Sequence, residues 1–203
     1  RAPLVVALAA VVSLGAQAPP SSPEPLTLVN ASVVDVTTGA VRRGQYVVLR
    51  DGRIESVAAT APPMAAASRR LDVGGRYVVP GLIDAHVHIA TPAAMRAALE
   101  SGVTTVRSAG VSNFADVGLR ELVKKGHLPG PDVLAAGYHV RPLPAVEAFM
   151  DAPDLGDLLR PGLTTPDALR RFVRMNLAHG VDWIKVLATE RAGTPDTDPR
   201  KQV

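Results

Sequence analysis

Two histidines end an apolar stretch of this chain, in the segment Asp84-Ala-His86-Val-His88. The preceding residues Tyr77-Val-Val-Pro-Gly-Leu-Ile are mostly apolar, which is typical of a buried strand. In a strand, residues two apart project from one face with Cα atoms about 6.5 Å apart. Both imidazoles can therefore reach one metal ion, at about 2.0–2.1 Å from each nitrogen. An apolar strand that ends in metal-ligating residues predicts a barrel with a hydrolytic metal site at its rim.

The His-x-His pair has two other interpretations: solvated histidines on an edge strand, or core histidines bonded to backbone carbonyls. The flanking sequence favours the metal site. Pro80-Gly81 interrupts the chain before the strand, and Thr91-Pro92 after it has the pattern of a helix start. Strand, polar tip, short loop and helix together make one βα unit.

Strand and helix patterns alternate along the rest of the chain. Strands are predicted at residues 103–107, 132–138 and 181–188, and helices after Thr91-Pro92, over 113–125 and after Thr165-Pro166. This alternation predicts an α/β fold with a parallel sheet. The four βα units fit either an open four-stranded domain or the first half of an eight-stranded barrel. The absence of an initial methionine and the abrupt end favour a fragment that is incomplete at its C-terminus.

Short strands are predicted between residues 26 and 79, before the βα units. Asp51-Gly52 indicates a hairpin turn, because Asp-Gly readily adopts positive φ angles. The pattern predicts a small antiparallel β unit of about 50 residues, near the lower limit of independent stability, that packs against another part of the protein.

The N-terminus has the pattern of an export signal. Residues 4–14 are apolar but shorter than the ~20 residues of a membrane span. Ala16-Gln17-Ala18 then matches a cleavage site, although residues 4–14 could instead be a buried element of the mature fold. We expect a partial signal peptide over residues 1–18, a Pro/Ser linker over 19–25, and a secreted or periplasmic protein without a membrane span after cleavage.

Composition excludes some classes of partner and some types of metal ligand. The net charge is only +3, with no basic run or aromatic-basic patch, so no nucleic-acid partner is expected. The chain has no cysteine, which excludes disulfides and thiolate ligands. Any metal must be bound by nitrogen and oxygen atoms.

Several of these segments resemble the amidohydrolase superfamily. The segment Val78-Val-Pro-Gly-Leu-Ile-Asp-Ala-His-Val-His88 resembles its signature, and Gly102-Val-Thr-Thr-Val-Arg107 is similar to its second strand. Gly180-Val-Asp-Trp-Ile-Lys185 resembles the fourth strand of the imidazolonepropionase and Xaa-Pro dipeptidase-like branch. The resemblance implies a small β-sandwich, partly built by residues 26–79, followed by the first four βα units of a (β/α)8 TIM-like barrel over residues 80–203.

The resemblance also implies a set of metal ligands. His86 and His88 would hold one divalent ion, and a carboxylated Lys185 would bridge it to a second, with Zn²⁺ expected for both. Without carboxylation a lysine amine is cationic, with a pKa of about 10.4, and is a poor ligand. The alternative for Lys185 is an ordinary surface lysine at a strand end. Two further histidines and the general-base aspartate would follow later in the protein, so no catalytic residue is expected within this chain.

The function implied is hydrolysis of an amide bond by a metal-activated water, with dipeptides as the leading substrates. A lactonase, esterase or phosphotriesterase on the same barrel and a non-catalytic binding protein of this fold are the alternatives. We expect a small-molecule or dipeptide partner and leave homo-oligomerisation open. The 203-residue chain alone is expected to be inactive and poorly stable.

Several other residues lie near the expected rim or depart from the family pattern. Tyr138 and His139 are candidates for substrate binding, or are simply a polar strand end. Asp84 is expected to orient an imidazole.

The Pro-rich segment 141–162 is either a lid or surface decoration. Ser108 and the run Thr189-Glu190-Arg191 depart from the family pattern, which has an aspartate and a glycine pair there.

Overall fold

The computed structural model describes residues 24–63, 69–142, 144 and 146–188. The predicted signal peptide and most of the linker lie outside these residues, as does Thr189-Glu190-Arg191. The chain divides into two compact units between Pro80 and Gly81. No helix in the described part of the chain is long and apolar enough to cross a membrane.

The first unit contains one five-stranded sheet. Its strands are β1 (Leu26–Val34), β2 (Val41–Arg50), β3 (Arg53–Ala58), β4 (Arg69–Asp72) and β5 (Tyr77–Val78). The sheet order is β3-β2-β1-β4, and β5 pairs with the other end of β1. The expected wholly antiparallel unit is wrong, because β4 and β5 both run parallel to β1. Gly74 and Gly75, both with positive φ, separate these two strands.

The turn between β2 and β3 confirms the Asp-Gly prediction. Asp51 and Gly52 have φ angles of 51° and 72°, and Arg50 pairs with Arg53 across the turn. Positive φ at both central positions gives the turn a twist that matches the flanking antiparallel strands. A local sequence signal therefore sets the register of this hairpin.

The second unit is built on a parallel sheet. Its strands β6 (Leu82–Val87), β7 (Val103–Ser108) and β8 (Asp132–Leu134) lie in that order. The main helices are α1 (Pro92–Glu100), α2 (Ala115–Lys124) and α5 (Pro166–Ala178). Both predicted Thr-Pro starts are confirmed: Thr91 and Thr165 each accept a hydrogen bond from a first-turn backbone N–H, and proline follows. The predicted α/β class is confirmed.

Helices cover one face of this sheet. Val106 of β7 and Val133 of β8 pack there with Met95 of α1 and Leu119 of α2. Arg107 and Leu134, which are paired and alternate with these valines, are exposed on the opposite face. We call these the covered face and the open face.

The third and fourth predicted strands are shorter in the structure. Strand β8 stops at Leu134, and the expected strand 181–188 appears only as a parallel bridge between Val140 and Val186. Strand β8 ends at Leu134 because Gly137 has a φ of 64° and the amides of residues 135–138 bond to side chains rather than to a neighbouring strand.

The Pro-rich segment that follows is folded. It contains the short helices α3 (Ala148–Asp151) and α4 (Gly156–Leu159), with a 3-10 turn at Pro153–Leu155 between them. Its buried Ala148 and Ala152, with the adjoining Leu163, pack in one cluster with Tyr138 and Phe172. The segment is thus part of a hydrophobic core, not a structureless loop.

Candidate metal centre

The two signature histidines lie on the open face. Val87 between them packs against the core under the helices, so the flanking His86 and His88 point the opposite way. Their ring centroids are 5.5 Å apart, and the ring planes are tilted by 59°. Both residues are exposed.

One backbone carbonyl fixes the tautomer of His88. Its Nδ1 lies 2.7 Å from the carbonyl oxygen of Gly110, which can only accept a hydrogen bond. Nδ1 therefore donates, and in the neutral ring the lone pair is on Nε2. Metal-binding histidines are commonly oriented in this way, with the second ring nitrogen bonded to a carbonyl or carboxylate. His88 is thus prepared to coordinate through Nε2.

Asp84 has a different partner from the one expected. Its carboxylate accepts a hydrogen bond from the backbone N–H of His86 at 3.0 Å, instead of bonding an imidazole. The β6–β7 ladder is irregular between Asp84 and Val87, which disrupts the simple alternation of the strand. Asp84 therefore shapes the backbone that presents His86.

A third imidazole, that of His139, lies beside the pair. Its ring centroid is 5.5 Å from that of His88, and the residue is half-buried. Burial lowers the pKa of His139 below its ordinary value, and the charges of His88, Arg141 and Lys185 lower it further, against an opposing backbone hydrogen bond with Ala109. The structure therefore favours the neutral form of His139.

Lys185 and His139 lie in two segments that pair in parallel. The Lys185 carbonyl accepts a hydrogen bond from the N–H of Val140 at 2.8 Å. Val140 packs into the core and pairs with Val186, so the preceding residues His139 and Lys185 alternate to the other side of this pairing. Lys185 is half-buried, and its charge acts on the pKa of His139.

Among the described residues, no group of three His, Cys, Asp or Glu side chains could hold a metal ion. The candidate ligands are therefore the imidazoles of His86 and His88, with Lys185 as the third predicted member. The free Nε2 of His88 and the nitrogen-rich donor set suit a divalent ion such as Zn²⁺.

Two residues to which the sequence assigned no role also share the open face. The Arg107 Nε donates to the carbonyl of Ala85 at 2.8 Å, and its guanidinium carbon lies 4.7 Å from the centroid of the Trp183 ring. This cation–π contact links the strand of His86 to the segment of Lys185 through β7. The available signal was spacing, since Trp183 precedes Lys185 by two residues.

Tyr138 lies in the core. Its hydroxyl donates to Asp151 and accepts from the backbone N–H of Asn113, and its ring packs against Phe114 and Phe172. Burial and the hydrogen bond to Asp151 raise the pKa of Tyr138 far above its ordinary value. This placement favours a structural role over the predicted substrate contact.

Ser108 is also buried. It is fully inaccessible and pairs with Val87, so it faces the covered side of the sheet rather than the rim. Its hydroxyl oxygen has no hydrogen-bond partner within the described part of the chain. The departure from the family pattern at this position therefore does not reach the open face.

The second unit is a parallel α/β sheet whose first strand ends in two imidazoles, one of which, that of His88, is oriented by a carbonyl of the loop after the next strand. This defines the class of βα proteins whose functional residues lie at the ends of the parallel strands. The family comparison agrees, because the model of the amidohydrolase family matches residues 77–203. The chain belongs to the amidohydrolase family.

Individual relatives fit this assignment. The D-hydantoinase of Rhizobium radiobacter is 29% identical over 155 residues, covering 68% of this chain and 32% of its own. Adenine deaminase 2 of Agrobacterium fabrum is 37% identical over 145 residues, covering 65% of this chain and 24% of its own. A provisionally named prolidase from Bifidobacterium longum superposes with a TM-score of 0.67 and 34% identity, covering 83% of this chain and 42% of the prolidase. The chain thus spans less than half the length of these relatives.

Proposed function

We propose that this chain contributes the first metal-binding strands of a hydrolase that cleaves carbon–nitrogen bonds. The observation that carries the proposal is the pairing of His88 Nδ1 with the Gly110 carbonyl, which leaves Nε2 free beside the imidazole of His86. When metal is bound, His86 and His88 would hold a divalent ion, and Lys185, as a carbamate, would supply an anionic oxygen ligand. Zn²⁺ is the expected metal.

The groups on the open face have separate proposed roles. Bound divalent ions supply a water molecule of lowered pKa and polarise the scissile carbonyl. His139, neutral and half-buried, offers a ring N–H or a lone pair to a polar group of the substrate. Arg107 and Trp183 keep the strand of His86 and the segment of Lys185 in fixed relation. No residue of this chain is assigned as the general base.

The proposed substrates are dipeptides. The relative named as a prolidase supports this choice, because it combines 34% identity with a matching fold. Relatives named D-hydantoinase and adenine deaminase point to C–N bonds in general. Purified full-length protein should hydrolyse Xaa-Pro dipeptides and leave lactones and phosphotriesters unchanged. The opposite preference would contradict the amide assignment.

Metal analysis tests the ligands directly. In the full-length protein, His86→Ala, His88→Ala and Lys185→Ala should each lower the bound divalent metal measured by mass spectrometry. His127→Ala is the control, because His127 is exposed and follows α2. Unchanged metal content in both histidine variants would refute the site. Labelling with ¹³C-bicarbonate should give a carbamate NMR resonance that Lys185→Ala lacks.

We also propose that the protein is exported. The apolar residues 4–14 and the Ala16-Gln17-Ala18 pattern support this proposal. N-terminal sequencing of the protein recovered from its native host should begin at Pro19. Recovery in the cytoplasm with residues 1–18 intact would contradict it.

A further inference from the structure

Four successive backbone N–H groups, those of residues 135–138, are bound by side chains. Asp182 accepts from Ala135 at 2.8 Å, and Asn176 accepts from Tyr138 at 2.9 Å. One carboxylate oxygen of Asp116 accepts from Ala136 at 2.9 Å and from Gly137 at 3.1 Å. The three acceptors come from α2, α5 and the segment after α5, so three parts of the unit meet at this stretch of backbone.

Two of these acceptors are completely buried. Asp116 and Asn176 have no accessible surface, and Asp116 forms no ion pair with any described residue. The other oxygen of Asp116 accepts the N–H of Val117. A buried carboxylate is costly unless it is well hydrogen-bonded, and a strand ladder could have satisfied the same amides without one. The arrangement therefore fixes a backbone path that is not a strand.

This path leads directly to His139. At Gly137, with a φ of 64°, a Cβ atom would lie 2.7 Å from both Asn176 Oδ1 and Phe114 Cε1. At Gly110, with a φ of 104°, a Cβ atom would lie 2.9 Å from Cδ2 and Nε2 of the His139 ring. Both glycines are therefore in close contact with their surroundings. The path of residues 135–138 determines where His139 lies relative to His88.

We propose that Asp116 and Asn176 are positioning residues of the candidate metal centre, which act through the backbone of residues 135–138 to hold His139 beside His88. Neither residue reaches the open face itself. The proposal rests on the proposed function in one respect, that His139 meets the substrate there.

The first test does not depend on activity. In metal-free full-length protein, the rate at which diethyl pyrocarbonate modifies His139 is measured by mass spectrometry. Asn176→Ala should raise this rate about tenfold, the factor expected for one lost buried hydrogen bond. Leu177→Ala, at the exposed neighbouring position of α5, should leave it unchanged.

Two further variants test whether general unfolding, rather than loss of positioning, exposes His139. Asp116→Asn keeps the side-chain shape but replaces one acceptor oxygen with a donor group, so it should raise the His139 rate in the same direction as Asn176→Ala. Met95→Ala weakens the separate core under the helices and should lower thermal stability without changing His139. Equal His139 rates in wild type, Asn176→Ala and Asp116→Asn, or a matching rise in Met95→Ala, would overturn the proposal.

Kinetics then separate the two proposals. With an Xaa-Pro dipeptide as substrate, Asn176→Ala should raise KM more than it lowers kcat, and its effect should not add to that of His139→Ala. Full additivity would refute the positioning role. If the wild-type protein hydrolyses no C–N substrate, the proposed function fails, while the modification rates still decide whether Asp116 and Asn176 position His139.

Discussion

Gly137 has a backbone conformation that a larger residue could not adopt without strain. Its φ of 64° lies in the left-handed region, and a Cβ atom would overlap Asn176 and Phe114. Left-handed backbone costs about 1–2 kcal/mol for other residues, and overpacking adds about 1–3 kcal/mol. Gly137→Ala should therefore lower the free energy of unfolding by about 3 kcal/mol in urea denaturation.

Gly118 provides the matched control at the same scale. It lies within α2, and a Cβ atom there would meet nothing within 4 Å. Gly118→Ala should raise the free energy of unfolding by about 0.5–1 kcal/mol, because glycine is a poor helix former. A loss of stability in both variants would show that the strain assigned to Gly137 is not specific.

Individual residues were predictable where their surroundings were local. The spacing of His86 and His88 places both rings on one face because β6 is extended there. The prediction of a strand through Tyr138 failed because Gly137 turns the chain and side chains replace the ladder. Acceptors such as Asp116 and Asn176 lie 20 and 38 positions away from the amides they bind, so no short pattern reveals them.

At the scale of elements, the start of α5 depends on one hydroxyl. The Thr165 side chain accepts the N–H of Ala168 at 3.2 Å, one of the amides that the helix itself leaves unpaired. Thr165→Ala should lower the free energy of unfolding by about 1 kcal/mol. Thr164→Ala removes an exposed neighbouring hydroxyl and should change it little. Comparable losses of stability in both variants would show that the effect comes from removing a β-branched side chain and not from removing the helix cap.

The link between α2 and the segment after α5 should respond to acid. Burial alone would raise the pKa of Asp182, but the Ala135 N–H and the Arg120 guanidinium, 2.6 Å away, lower it below its ordinary value. The unfolded chain therefore binds this proton at higher pH than the folded one. The stabilisation is present above the ordinary pKa and is lost as pH falls through the lower folded pKa.

Asp182→Asn tests this pH dependence. The melting temperature of the variant should lie below that of the wild type at pH 7, and the gap should narrow below about pH 4. Asp167→Asn is the control, because Asp167 forms an exposed ion pair with Arg171. A gap that stays constant over the acid range would contradict the role assigned to the Asp182 carboxylate.

The elements themselves followed from sequence more readily than their pairing. Thr-Pro starts and the Asp-Gly turn act over a few residues, and both were predicted correctly. The parallel pairing of β4 and β5 with β1 depends on contacts across more than forty residues, such as Leu26 with Arg69. Alternating patterns do not distinguish parallel from antiparallel partners in strands this short.

At the scale of the whole molecule, we expect the open face to determine whether the chain self-associates. Ile83 is 72% exposed and Leu134 46% exposed, and both share this face with the histidine pair. Apolar side chains on an uncovered sheet face favour association. We expect the 203-residue chain, expressed alone, to bind a hydrophobic dye such as anilinonaphthalene sulfonate and to self-associate in analytical ultracentrifugation.

Substitution at one position of this face tests the cause. Ile83→Ser should reduce both dye fluorescence and self-association, because it removes the most exposed apolar side chain of β6. Leu177→Ser, at a 54% exposed position on α5, is the control and should change neither. If the chain is monomeric and binds no dye, the open face is covered in solution, and the exposure of Ile83 does not govern how this chain behaves. If both variants reduce association equally, general surface hydrophobicity rather than the open face is responsible.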